Sequence, residues 1–503
     1  MKQYLLGIDI GTSACKIAVF EEDGSVVATG NGDYQVYYPK PGWAEQNPDE
    51  WWAAVCKAVR GTLEKGNIKP EEIAGIGIDG QSWSAIPMDK DGNVLANNPI
   101  WTDTRAADIC EEVGAKIGEE NIFEVCGNPF KPSYTTPKIL WYKSKMPEVY
   151  KNTYKILQSN SYIAYRLTGE FTQDMSQGYG LHCFDMRKGV WDMDMCKELG
   201  VDPAMLPDIY PCHQVVGKVT KEAAAQCGLA EGTPVVAGAL DAACGTLGAG
   251  VVHPGETQEQ GGQAGGMSIC LDTYKADPRL ILSYHAVEGQ WILQGGTVGG
   301  GGVMRWLEKE FADYERVRGK ELGKSSLTLF NEIAEKVPAG SDGMVFLPYM
   351  RGERSPIWDP NAKGVFYGLD FSKTKGHFVR AAMEGVALSL RHNIEVAEAA
   401  GAHAKELRAM GGSANSLLWT QIKADVTGKK IIVPSSDTAT ALGAVILAGV
   451  GIGMYKTFEE AVEKTVVIKR EHEPNVENKA VYDKTYETYL KLYESLKDVM
   501  AGK

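Results

Sequence analysis

The sequence predicts an α/β protein built as two similar-sized lobes around one cleft. Three features carry that reading. Apolar, strand-like runs alternate with amphipathic helical ones. Two strands of the first half, YLLGID and TPVVAGALD, each deliver an aspartate straight into small residues and glycines. The second half returns to the same grammar in WILQGGTVGGGG and LRAMGGSAN.

The opening is β-rich. YLLGID, KIAVF and SVVATG read as strands, and Gly24 supplies the permissive dihedral in the EEDG turn between the last two. PDEWWAAVCKAVRGTLEKG is helical, with Asp49 and Glu50 in its first turn, where the helix dipole favours acids. IAGIGIDG is a buried strand running out at Gly80-Gln81-Ser82-Trp83. TPVVAGALDAACGTLGAG repeats the opening with Asp241 at its tip. The polar, glycine-rich HPGETQEQGG then marks a boundary, separating a first domain, 1–250, from a second, 251–503. Within the second, WILQ is a strand and VMRWLEKEF a helix. The C-terminus is a helix whose Tyr482, Tyr486, Tyr489, Tyr493, Leu496 and Met500 share one face, a docking stripe onto the second lobe.

Length and composition bound the function. A chain of 503 residues exceeds one ordinary core, and 44% apolar with 23% charged residues is a globular balance. Sixty-five acids against 52 bases give a formal charge of −13, which argues against nucleic acid or anionic membrane as partner. A small polyanion held by local amides and one cation is still allowed. MKQYLLGIDI runs into a strand without a leader, and no stretch approaches the roughly 18 apolar residues of a membrane span. The ten cysteines form no C-x-x-C pair and the eight histidines no H-E-x-x-H, so reduced thiols, a cytoplasmic location and no built-in transition metal are expected.

The turn after YLLGIDI carries chemistry. Gly11 lets backbone approach a ligand, Thr12 and Ser13 add hydroxyl donors to the turn amides, and Lys16 can reach the same anion. Asp9 repels phosphate, so a coordinated Mg²⁺, direct or through water, is its expected intermediary. An ordinary hairpin whose Asp and Thr satisfy the turn accounts for this segment equally well. It is not a Walker A loop, because the required lysine spacing is absent. GGTVGGGG resembles a dinucleotide fingerprint only superficially: the charged helical DYERVRGKELGKSSL follows it, with no second strand ending in a ribose-binding acid.

Beyond these readings, YTTPKILWYK, from Tyr134 to Lys143, and GVFYGLDFSKTKGHFVRAAMEG, from Gly364 with His377 and Glu384 in register, resemble the two signatures of the FGGY family of carbohydrate kinases. PGWAEQNPDEWW, LTGEFTQDMS, LPYMRGERSP, NAKGVFYGL and ATALGAVILAGVGIGMY are similar to its xylulokinase branch, so the resemblance spans essentially the whole chain. It implies two ribonuclease H-like domains of the actin/Hsp70/hexokinase-like ATPase type flanking a central cleft. The implied reaction is transfer of the ATP γ-phosphate to a ketopentose, D-xylulose to D-xylulose 5-phosphate, with Mg²⁺ and a homodimeric assembly. L-Xylulose, L-ribulose, gluconate, erythritol or another polyol, and a linear signalling sugar are alternative acceptors. A non-catalytic, nucleotide-gated sugar-binding protein is the reading from another class.

Carried over by position, the resemblance makes Asp9, Gly11, Thr12, Ser13 and Lys16 the first phosphate element and Asp241 the catalytic base. Gly261, Gly262 and Gln263 fall on a second phosphate loop, Gly301 and Arg305 near the nucleotide, and Gly411, Gly412, Ser413 and Ser416 around the adenosine. Asp241 also suits an N-cap for AACGTLGAG. Gln81, Ser82 and Trp83 fall on the substrate loop, with Asp103 of IWTDTR, Tyr134 and Asp241 as further sugar contacts; amide, carboxylate and aromatic groups suit polyols. Three positions depart from the branch: Ser82-Trp83 replaces Met-His, Gln263 replaces Thr, and Asp79 stands where a small residue is usual. Asp79 is expected to support a sugar hydroxyl, directly or through Gln81.

Overall fold

The computed structural model describes residues 3–435 and 438–503. Two compact units emerge. One comprises Met1–Val252 with Cys270–Ile292 and Thr438–Val467; the other comprises His253–Ile269, Leu293–Asp437 and Ile468–Lys503. Two stretches beyond residue 250 therefore pack with the first unit, and the later of them carries a helix that supplies the apolar face its sheet must bury.

In the first unit, β1 (Tyr4–Ile10), β2 (Ala14–Phe20) and β3 (Val26–Asp33) form an antiparallel meander. Gly24 turns between the last two at φ +81°. Helix α1 (Pro48–Gly66) follows; Asn47 caps its start by accepting the Asp49 N–H. Strand β4 (Ile73–Gly80) then pairs parallel to β1, placing Asp79 opposite Asp9. After α2 (Thr135–Lys145) come β5 (Val215–Lys218), β6 (Pro234–Val236), β7 (Ala239–Leu240) and α3 (Asp241–Gly248). Strand β7 pairs parallel to β4 on the side away from β1, with Ala239 opposite Asp79.

The helix Ala439–Gly451 lies on this sheet and against α3, and small residues let the backbones close in. A Cβ on Gly77 would stand 1.8 Å from the Ala444 carbonyl oxygen, and one on Gly248 1.8 Å from that of Ala439. Neither neighbour is a flexible side-chain tip, so neither can give way.

The second unit repeats the plan with β8 (Glu256–Gly261), β9 (Gly265–Leu271), β10 (Trp291–Thr297), α4 (Gly301–Phe311), α5 (Lys375–Ala399), β11 (Glu406–Met410), α6 (Leu417–Thr427), β12 (Lys430–Pro434), β13 (Ile468–His472) and α7 (Lys479–Met500). Strand β8 is antiparallel to β9 and parallel to β11, which is parallel to β12. Tyr482, Tyr486 and Tyr489 of α7 are buried in this unit's core, with Tyr493 and Met500 packed at its edge. No described helix is long and apolar enough to cross a membrane.

Gly77→Ala drives a methyl into backbone, so it is expected to cost about 1–3 kcal/mol or more of stability. Urea unfolding reads this as a lower midpoint at unchanged slope; a wild-type midpoint would contradict the packing described.

Candidate active site

Three parallel strand ends build an acidic edge within the first unit. β1, β4 and β7 run side by side, and Asp9, Asp79 and Asp241 stand at or just past their carboxyl ends. Ligands of α/β sheets bind outside such ends. Asp9 is 5% and Asp79 0% exposed, and Lys16 Nζ donates to Asp9 Oδ2 at 3.2 Å. Neither Asp79 oxygen receives a hydrogen bond from a donor group. Its carboxyl instead meets that of Asp9, a contact that becomes a hydrogen bond only when one of the two holds a proton.

Electrostatics follow from this crowding. Burial, with Asp9 and Asp241 adding repulsion, holds the Asp79 carboxyl well above the usual carboxylate range. Burial and then Asp9 push Asp241 up to about 7. Lys16, beside Asp9, is raised. Asp241 keeps some exposed surface although protein crowds its carboxyl, and among the described residues that carboxyl accepts one hydrogen bond, from the Ala242 N–H to Oδ1 at 2.7 Å. It is the first helical residue of α3 and not its N-cap, which is Leu240.

The opening turn is drawn tight. The Gly11 N–H donates to the Ala14 carbonyl at 3.2 Å, and the Tyr34 hydroxyl donates to the Gly11 carbonyl at 2.5 Å. Trp101 Nε1 donates to Thr12 Oγ1 at 2.9 Å, and Gln46 Nε2 to the Thr12 carbonyl at 2.8 Å. Ser13 and Lys16 face solvent. Among the described residues no group of three or more His, Cys, Asp or Glu side chains is arranged to hold a metal alone. A hard cation takes oxygen ligands and keeps several waters, so the Asp9 carboxylate fits a magnesium ion that draws its remaining ligands from phosphate and water.

Beside the acids, Gln81, Trp83 and Tyr134 come together. Trp83 stacks on Tyr134 with centroids 4.2 Å apart, and Tyr134 lies 5.0 Å from the His182 ring. Trp83 Nε1, the Tyr134 hydroxyl, Gln81 Oε1 and His182 Nδ1 are all buried without partners. His182 Nε2 meets the Pro129 carbonyl at 3.1 Å, so it carries the proton and leaves Nδ1 an acceptor; burial holds this imidazole down at about 4. Ser82 is half-buried.

Two expectations change. Asp103 is fully buried, and its oxygens accept from the Ala44 N–H at 2.7 Å and from Arg105, so it orders the IWTDTR loop and does not face sugar. Gln81 Nε2 donates to Gln46 Oε1 at 2.8 Å, so Asp79 is not relayed through Gln81; register turns Asp79 toward Asp9 instead. Gln46, Trp101, Lys138 and His182 were not singled out from sequence, although PGWAEQNPDEWW, IWTDTR and YTTPKILWYK contain the first three.

In the second unit, three glycine loops press backbone on backbone. A Cβ on Gly301 would stand 2.6 Å from the Gly262 carbonyl oxygen, and one on Gly411 3.0 Å from that of Gly261. The Gln263 side-chain oxygen accepts from Arg305, and the Gly302 N–H donates to the Gln263 carbonyl at 3.0 Å. Gly411 adopts φ +83°, and Gly412 has open space around its α-carbon. Ser413 Oγ accepts from Lys423, itself paired with Glu259. Ser416 is the N-cap of α6, accepting the Trp419 N–H at 3.1 Å, because the chain needs an acceptor where the helix starts.

Comparison with known proteins agrees with this layout. The FGGY N-terminal domain profile matches residues 4–248 and the C-terminal domain profile residues 269–452. The chain belongs to the FGGY family of carbohydrate kinases. This FGGY kinase is 30% identical over 499 residues to the xylulose kinase of Bacillus subtilis, covering 99% of this chain and 98% of that protein. It is also 30% identical over 500 residues to the gluconokinase of Bacillus licheniformis, covering 99% and 97%. Its fold superposes on the xylulose kinase structure from Rhodospirillum rubrum with a TM-score of 0.90 at 30% identity, over 99% of this chain and 100% of that one. The fold is thus the actin/hexokinase-like ATPase fold in two domains.

Linkage makes the acidic edge testable. Asp241 has a folded pKa of about 7 against an ordinary 3.8, so its proton stabilises the fold below the lower value and that contribution is lost as pH rises through the upper. Asp241→Asn, which removes this titration, should gain thermal stability relative to wild type as pH rises across that window. A pH-independent difference in Tm between the two would refute the shift.

Proposed function

We propose that this FGGY kinase transfers the ATP γ-phosphate to a hydroxyl of a ketopentose, D-xylulose foremost, giving D-xylulose 5-phosphate. The observation that carries the reading is Asp241: a carboxyl at a strand end with one hydrogen bond, raised to about 7 by burial beside two other acids. A general base works best with a pKa near the working pH. Asp241 takes the proton of the attacking hydroxyl through its free oxygen, while the Ala242 N–H fixes the other. Lys16, Thr12 and the turn amides hold phosphate oxygens, and Asp9 is the residue that would hold a magnesium ion, whose charge would offset that of the phosphates. Within the second unit, Gly262 and Gln263 are the candidates for a second phosphate loop, Gly301 and Arg305 for contacts near a nucleotide, and Gly411 and Gly412 for close approach of an adenosine.

Two observations favour a neutral sugar over an aldonate, the alternative raised by similarity to a gluconokinase. The Trp83–Tyr134–His182 group offers a neutral imidazole, an indole N–H and a phenol, which match hydroxyls and C–H faces. Two cations of the surrounding segments are already engaged: Lys138 with backbone carbonyls, Arg105 with Asp103 and Glu45. Neither is left to serve as counter-ion to an aldonate carboxylate.

Sugar-dependent ADP release, measured side by side on D-xylulose, L-xylulose, L-ribulose, erythritol and gluconate, tests the reading. D-Xylulose should lead in kcat/KM and gluconate should trail; gluconate in the lead would overturn the neutral-sugar assignment. Asp241→Asn should cut kcat by about 10²–10⁴ with nucleotide affinity retained, and near-normal turnover would remove Asp241 from the base role.

A further inference from the structure

One buried cation in the first unit forms no salt bridge among the described residues, although Asp103 is close enough to favour its charge. Lys138 is fully buried, and its Nζ donates to the Trp83 carbonyl at 2.7 Å and the Ile100 carbonyl at 2.9 Å. No Asp or Glu forms a salt bridge with it among the described residues. A methionine would occupy similar volume without the desolvation cost of an ammonium. The charge is therefore doing something that a hydrocarbon does not, and the bridge between two carbonyls is what it does.

Its neighbours show what is being held. Thr135, Lys138 and Tyr142 are spaced i, i+3 and i+7 on α2, which places them on one face. They donate to three consecutive carbonyls: Lys138 to Trp83, Thr135 Oγ1 to Ser84 at 3.0 Å, and the Tyr142 hydroxyl to Ala85 at 3.2 Å. Lys138 and Tyr142 each reach a second strip of chain as well, at Ile100 and, at 3.0 Å, Asn97. One helix face thus reads the main chain of both loops that carry the site, the one ending in Trp83 and the one containing Trp101.

Trp83 needs such holding. Its φ is +58°, a left-handed conformation that a bulky side chain adopts only when its surroundings impose it. Four residues before Lys138, at the N-cap of the same helix, Tyr134 stacks on the Trp83 indole. The helix therefore holds Trp83 at both its carbonyl and its ring.

We propose that Lys138 is the positioning residue of the sugar site, its ammonium fixing the left-handed backbone of Trp83 and hence the indole presented to substrate. Because the Lys138 bond is to a carbonyl, it does not itself depend on the side chains of Ser82 and Trp83, and those side chains can set sugar preference on the frame it fixes. The inference rests on the sugar-site reading above, and burial that pulls Lys138 down to about 7 is consistent with the dry setting in which such bonds are strong.

The test combines kinetics with a signal that needs no turnover. Lys138→Met should raise the sugar KM about tenfold or more while the nucleotide KM stays within about twofold. It should also shift indole fluorescence, and that shift should vanish in a Trp83→Phe background. Lys143→Met, on the solvent side of the same helix, should change neither. Parallel rises in both KM values, or an unmoved Trp83 signal, would overturn the proposal. Should Lys138→Met fail to fold, Tyr142→Phe decides, with a sugar-only rise in KM of about threefold in support and no change against. Wild-type inactivity across the sugar panel would count against the substrate reading, whereas the Trp83 signal judges the frame by itself.

Discussion

Three carboxyl groups crowded onto the end of one sheet, with a single lysine bonded to one of them, are the constraint on which this kinase turns. Parallel pairing of β1, β4 and β7 sets Asp9, Asp79 and Asp241 at adjacent strand ends, and burial strips them of the water that would let all three ionise. Burial and mutual repulsion favour keeping a proton on Asp79 or Asp241. Asp79, with no donor on either oxygen, is where burial favours it, and Asp241 is left balanced near neutrality. The departure at Asp79 thus acts on its neighbours' charge and is not relayed through Gln81.

The site divides its labour between main chain and side chain. The turn at Gly11–Thr12 and the loop at Trp83–Ala85 are fixed through their carbonyls by side chains from Tyr34, Gln46, Thr135, Lys138 and Tyr142. In the second unit, glycines do the equivalent task by letting three loops touch backbone to backbone. Geometry of this kind is set independently of the exposed side chains, so a frame of this sort would allow those to differ without being rebuilt.

Much of this was legible in the chain. Acid-terminated apolar runs mark the strands because a buried parallel strand reads as nearly continuous hydrophobicity, and its end is the first place a charge is tolerated. Gly24 and the tyrosine stripe of the C-terminal helix were visible for similarly local reasons. What stayed hidden depended on distant partners. The role of Asp103 is decided by the amide of Ala44, 59 residues away, and that of Asp79 by the register that sets it against Asp9. Lys138 stood in plain view in YTTPKILWYK, but its acceptors lie 55 and 38 residues off. The return of Ala439–Gly451 to the first unit rests on glycines at 7, 77 and 248 whose purpose shows only when the helix is in place.

The proton held among these acids is the most direct thing to measure. Carbon-13 NMR of aspartate carboxyl carbons, titrated with pH in wild type, Asp79→Asn and Asp241→Asn, would locate it. One carboxyl should titrate near 7 and disappear in Asp241→Asn, and another should titrate well above the ordinary carboxylate range and disappear in Asp79→Asn. If every aspartate instead titrates within the ordinary carboxylate range, the crowded edge does not exist as described and the poise of Asp241 goes with it.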